Sequence, residues 1–293
     1  MRFANFLNEK LIVLKGTKSK SYGNVIILAG GAASGKGFAT KNFLEANLYK
    51  IRDIDEIKRM FLKIDKLKKK YPEIRGLDLK NPKHVGRLHQ FVASKNIKDK
   101  TFDLMMKGAQ ESRLPNIIFD ITFKDIKGAN FHWIKLMIDD LGYNPKDVNL
   151  IWVLADYTVA MAANKDRKRV VPADMLLQTH VGAALNMVDV VKGKVPEVKD
   201  KSLFDGAIHV ILNNRENTIF WKDKAGKTII TKPGPEQLAK GMKPTPIIKD
   251  FKYLTLKEKG MPLTTNKEVL KQLYDWVIDN IPPTIKTQII WPD

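Results

Sequence analysis

The chain has 293 residues, with 51 lysines and arginines against 32 aspartates and glutamates, a formal net charge of +19. That length can bury a full α/β domain and leave material for an extension, and the basic excess attracts polyanions: nucleotides, nucleic acid or an acidic partner surface. The absence of cysteine excludes disulfides, thiolate metal sites and cysteine nucleophiles, and the lack of both a membrane-spanning apolar run and a signal-peptide pattern over Met1 to Lys20 points to a soluble, cytoplasmic protein with no membrane partner.

Residues 1–22 read as an N-terminal arm in which Phe3, Phe6 and Leu7 can pack on the domain. Val25-Ile26-Ile27-Leu28 then reads as a buried strand, and it runs into Gly30-Gly31-Ala32-Ala33-Ser34-Gly35-Lys36-Gly37 and a helix to about Ala46. Strand, GxxxxGK loop and helix in that order form a phosphate-binding loop: its glycines let amides turn inward, and Lys36 meets the β- and γ-phosphates. The usual Ser or Thr after the lysine is Gly37 here, followed by Phe38, so Mg²⁺ needs another ligand. Ser34, Thr40 and an acid acting through water are the candidates.

Tyr49 to Asp55 reads as a second strand ending in Asp53 and Asp55, at the sheet end where α/β proteins bind ligands. Ile57, Met60, Phe61, Ile64 and Leu67 recur at helical spacing, with lysines between them, and residues 71–84 read as a loop or partial cap. A helical region over Val85 to Glu111 leads to the strand Asn116 to Thr122, which delivers Asp120 at its end, with Thr122 beside it to bond a phosphate or cap the next segment. A carboxylate so placed holds Mg²⁺ or its water shell in phosphate-loop enzymes.

A helix near Phe131 to Asp140, a strand over Asn149 to Ala155 and a helix carrying Asn164-Lys165-Asp166-Arg167-Lys168-Arg169 follow. Cations crowded into one helical turn repel one another unless an anion lies among them, and a transferring phosphoryl group is such an anion. Residues 173–192 read as a helix and Phe204 to Leu212 as a strand; His180 and His209 fall on apolar segments and read as core histidines. Beyond Asn213, Thr218 to Trp221 and Thr228 to Thr231 flank the turn Asp223 to Gly226. A linker to about Leu263 and a helix over Lys267 to Ile281 close the chain.

Four pieces in order, LAGGAASGKG, the acids of IRDIDEIK, the strand IIFDIT and NKDRKRVVP after IWVLAD, resemble the zeta-toxin-like P-loop kinases, relatives of polynucleotide and chloramphenicol kinases, over residues 23–214. The resemblance implies a three-layer α/β fold with a parallel sheet flanked by helices and an Arg-bearing lid; residues 215–293, beyond it, read as a C-terminal extension of hairpin and helix. It also implies ATP and Mg²⁺ as cofactors and a hydroxyl-bearing small molecule, such as a nucleotide sugar, as acceptor. Residue by residue it makes Lys36 the γ-phosphate lysine, Asp55 the general base, Asp53 its neighbour, Asp120 a carboxylate near substrate and metal, and Arg167 and Arg169 the lid arginines; Asp103 lies near a further acidic position. An antitoxin partner is undetermined by the sequence, and MRFANFLNEK is similar to openings of tailed-phage proteins, which suggests a bacterial or phage-infected cell. Two alternatives stand beside this reading: a 5′-hydroxyl polynucleotide kinase, and a nucleotide- or nucleic-acid-binding structural protein that has lost turnover.

Overall fold

A computed structural model describes residues 22–44, 48–106, 114–124, 129–167, 169–213, 218–230, 234–235 and 246–289. The N-terminal arm, Lys168 and part of the expected linker lie outside these. Strand β1 (Val25–Ala29) is buried throughout. Val25, Ile27 and Ala29 face one apolar core while Ile26 and Leu28 face another, which is the two-residue period of a strand covered on both sides.

The chain continues through α1 (Lys36–Asn42), β2 (Lys50–Asp53), α2 (Ile54–Lys63), α3 (Asp65–Lys70), α4 (Pro82–Ser94) and α5 (Ile97–Met106). Next come β3 (Ile117–Asp120), α6 (Ala129–Asp139), β4 (Val148–Leu154), α7 (Tyr157–Asp166), α8 (Ala173–Val191), α9 (Pro196–Lys199) and β5 (Ile208–Leu212). It closes with β6 (Thr218–Phe220), β7 (Ile248–Phe251), β8 (Tyr253–Lys257) and α10 (Lys267–Asn280). The main sheet runs β2-β3-β1-β4-β5-β8, and its first five strands are parallel. Because β3 lies on one side of β1 and β4 on the other, the crossovers diverge there and leave a crevice beyond the end of β1, where such sheets bind ligands.

Four expectations are corrected. The stretch read as a linker contributes β7 and β8, and β8 pairs antiparallel with β5 as the edge of the main sheet. Its period-2 signal, buried Leu254 and Leu256 between half-buried Tyr253 and Thr255, is short and hidden among lysines and prolines. The helix expected over Ile57 to Leu67 breaks at Ile64, whose extended backbone separates α2 from α3 and leaves Met60 and Ile64 exposed. The helical region from Val85 divides at Asn96, which adopts φ 52, the left-handed geometry in which asparagine terminates helices. The helix bearing the arginines stops at Asp166, so Arg167 and Arg169 do not share a helical turn.

Two apolar cores sandwich the sheet. One draws on α6, α8 and α10, with Leu273, Val277 and Ile281 buried against the strands; the other holds Ala39, Phe43, Ile248 and Phe251, with the Phe43 and Phe251 rings stacked. A third, smaller core of Phe61, Ile74, Leu88, Phe91, Val92 and Ile97 ties α2 to α4 and α5 beside the crevice.

Candidate active site

The loop leaves β1 at Gly30, and its shape is set by close approach. A β-carbon on Gly30 would lie 2.7 Å from the Val153 carbonyl oxygen, and one on Gly31 would lie 2.3 Å from the His180 ring. Gly35 adopts φ 91 at the start of α1, against the Asn213 amide, which donates to the Ser34 carbonyl at 2.7 Å. Ala33 adopts φ 61 without being glycine, a conformation that costs about 1–2 kcal/mol. Helix α8 holds the loop from behind: Ala32 N–H donates to Thr179 Oγ1 at 3.0 Å, and His180 Nε2 lies 2.8 Å from the Ala32 carbonyl. The Ala32 amide is thereby committed to the scaffold, and Ser34 N–H turns to the Gly31 carbonyl.

Lys36 folds over the loop, donating to the carbonyls of Gly30 at 2.8 Å and Gly31 at 3.2 Å, with Asp120 Oδ1 3.6 Å away. Asp120 and Asp53 are register partners at the adjoining ends of β3 and β2. Burial pushes the Asp120 carboxyl up to about 6; Lys36 opposes this and the charges of Asp53 and Asp55 reinforce it. Asp53 caps α2 by accepting from Asp55 N–H at 2.7 Å, which aims the first turn of that helix at the crevice. Burial alone would raise the Asp55 carboxyl, yet Arg169, Lys58 and Lys36 together hold it below the ordinary carboxylate range.

Arg167, at the end of α7, has extended backbone, φ −72 and ψ 151. Arg169 lowers the Asp55 carboxyl, and the charge of Asp55 in turn favours the Arg167 guanidinium. Arg169 forms an ion pair with Asp55 Oδ2, whereas Arg167 Nη1 is buried without a hydrogen-bond partner. Burial and the neighbouring Arg169 both depress the Arg167 guanidinium. Buried Asn164 fixes the segment: its amide donates to the Val171 carbonyl at 2.8 Å and its carbonyl accepts from Val171 N–H at 3.0 Å.

A family model described as zeta toxin matches residues 9–225. The chain belongs to the zeta toxin family, a group of P-loop kinases. Among solved structures, this zeta toxin family chain is similar to one from the PezAT chromosomal toxin-antitoxin system of Streptococcus pneumoniae, at 15% identity and a TM-score of 0.40, over 68% of this chain and 70% of that one. It is similar to a chain of the AvrRxo1-ORF1:-ORF2 structure with ATP at 11% identity and a TM-score of 0.43, over 91% and 74%. It is also similar to deoxyadenosine kinase from M. mycoides with bound dATP at 14% identity and a TM-score of 0.29, over 69% and 94%. A comparison with curated proteins finds no match.

For this zeta toxin family site the fit to a phosphate and a divalent cation can be tested on the side chains present. Ser34 Oγ is buried in the loop without a partner and Asp120 stands at the strand end, so both suit the cation and its waters. Thr40 does not: its hydroxyl donates to the Lys36 carbonyl at 2.9 Å. A β-carbon at Gly37 would meet nothing within 4 Å, so the missing hydroxyl is not imposed by crowding. Among the described residues no three His, Asp or Glu side chains cluster as a metal site. Thr122 lies half-buried two residues beyond Asp120. Asp103 is exposed on α5. His180 is buried under the loop, and His209, also buried, bonds Thr255 Oγ1 at 3.0 Å. No described helix is long and apolar enough to cross a membrane.

Sequence reasoning missed the residues that hold the loop and Asp55. Thr179 and Asn213 carry no motif, Asn164 stands in NKDRKRVVP with no role read from it, and His89 on α4 reaches the site only through the fold. Lys58 was within reach, because it stands three residues after Asp55 on one helix face.

Proposed function

We propose that the chain transfers the γ-phosphoryl group of ATP to a hydroxyl of a small molecule, with a nucleotide sugar as the acceptor class. The observation that supports this best is the convergence of Lys36, Asp120, Asp55 and Arg169, from four separate segments, at the end of β1. The loop amides of Ala33, Gly35, Lys36 and Gly37 and the Lys36 ammonium bind the phosphates, and Arg167 and Arg169 take up the charge on the equatorial oxygens of the transferring group. Asp55 orients the acceptor hydroxyl and accepts its proton as the new oxygen–phosphorus bond forms and the bond from the γ-phosphorus to the bridging oxygen breaks, releasing ADP. A depressed carboxyl is compatible with that role, since a loose transition state asks for position first and proton acceptance late. Asp120, Ser34 and, through water, Asp55 would hold Mg²⁺, which when bound shields the β- and γ-phosphate charge.

The test is transfer of label from γ-labelled ATP to a panel of nucleotide sugars. Native chain is expected to label an acceptor, with Lys36→Ala and Asp55→Asn each losing at least about 10²-fold. Equal labelling by both variants would overturn the assignment. A second reading, a 5′-hydroxyl polynucleotide kinase, is favoured by α3, whose Lys66, Lys69 and Lys70 are exposed beside α2. It requires oligonucleotide labelling that falls steeply with salt, and indifference to salt would exclude it.

A further inference from the structure

Lys58 is 5% exposed, and the transfer just described gives its ammonium no task. It sits on α2, one turn beyond Asp55, and donates to Asp55 Oδ1 at 3.2 Å. On its other side His89 Nδ1 of α4 lies 3.3 Å away, and His89 is half-buried. Burial, then the charge of Lys58, keeps the His89 ring neutral well into the acid range, so its unprotonated nitrogen accepts from the ammonium.

The two cations on Asp55 therefore differ in kind. Lys58 belongs to the same helix as Asp55 and is tied to α4 through His89, in a region joined by the core of Phe61, Leu88 and Phe91. Arg169 holds the other oxygen from the segment beyond α7, where a phosphoryl group offers it an alternative anion. An Asp side chain has little to fix its rotation once Arg169 turns to phosphate, and a misdirected carboxylate cannot line up an acceptor oxygen.

We propose that Lys58, tethered by His89, is a positioning residue that pins Oδ1 of Asp55 so that Oδ2 stays turned toward the acceptor hydroxyl. This rests on the phosphoryl-transfer reading above, and it makes α4 part of the machinery although no residue of α4 is assigned to substrate.

The experiment uses full-length chain with ATP as donor and water as acceptor, reading kcat and KM for γ-phosphate release beside calorimetric ATP affinity. Lys58→Met is expected to lower kcat on the order of 10²-fold with ATP affinity within about twofold. His89→Leu is expected to lower kcat about tenfold, and His89→Asn, whose amide oxygen can accept in place of Nδ1, to recover most of that loss. The histidine variants decide the matter if the Lys58 variant does not fold. Native kcat in both Lys58→Met and His89→Leu, with Asp55→Asn inactive, overturns the positioning role and leaves the kinase reading standing. So does a parallel loss of ATP affinity and kcat, or a failure of His89→Asn to do better than His89→Leu. Native turnover in Asp55→Asn overturns the base role on which the positioning rests, and native turnover in Lys36→Ala as well overturns the kinase reading itself.

Discussion

At the strand ends Asp53 and Asp120 stand in register, and the carboxyl of Asp120 is raised to about 6, chiefly by burial. A raised folded-state value means that the stability Asp120 contributes is full below about pH 4 and is lost as pH rises through about 6. Asp120→Asn removes that dependence. In urea unfolding at pH 4 to 7 the variant should gain on the native chain by up to about 3 kcal/mol as pH rises, while losing phosphoryl transfer. A difference that stays flat with pH would show Asp120 to be ordinarily solvated. Gly37 offers a second test at this scale: the open space beside it admits a side chain, and a helical glycine costs roughly 0.5 kcal/mol against serine or threonine. Gly37→Ser should fold at least as stably as the native chain and lower the Mg²⁺ concentration that half-saturates ATP binding. Unchanged Mg²⁺ dependence would mean that the metal lies away from α1.

Among elements, the segment between α7 and α8 is the most consequential for the site. Were it helical, Arg167 and Arg169 would diverge by roughly 200° around the axis, given 3.6 residues per turn. With the helix ended at Asp166 both stand near Asp55, and Val170 N–H bonds the Leu79 carbonyl at 3.0 Å, joining this segment to the loop before α4. Asn164 is the clamp. Asn164→Ala leaves the Val171 N–H and carbonyl short of two buried partners, which should cost about 1–3 kcal/mol in urea unfolding and lower kcat together with it. Native kcat in a destabilised variant would show that the arginines hold their places without the clamp. Helix α8 plays the matching part for the loop, since Thr179 and His180 fix both polar groups of Ala32.

Over the whole molecule, the C-terminal residues complete the kinase sheet. Strand β8 covers the edge of β5, and buried Lys257 lies 3.2 Å from Asp205 Oδ1 and 2.9 Å from the Gly206 carbonyl, both in the turn leading into β5. Helix α10 puts Leu273 and Val277 into the core that holds β1 and β4. A chain ending at residue 214 would expose a strand edge, an unpaired buried carboxylate and an apolar face, and breaking a buried pair alone costs about 3–5 kcal/mol. The shortened chain should fail to unfold cooperatively by circular dichroism and fail to bind ATP by calorimetry; a cooperative, ATP-binding fragment would show that the extension only docks. The same edge strand explains why the sequence reading stopped short here: five residues of weak alternation cannot name their neighbour.

By itself the sequence determined the parts whose signal is local. An apolar run before GGAASGKG, acids at the ends of two short strands and the turn Asp223 to Gly226 each follow from period, propensity or backbone freedom within about ten residues. Only the tertiary structure decided what depends on distant partners: that Arg169 meets Asp55 across 114 positions, that β8 joins β5, and that His89 meets Lys58 across 31 positions. The reason is physical, since a hydrogen bond or an ion pair is specified by position in space, and chain order limits that position only where the intervening backbone is regular.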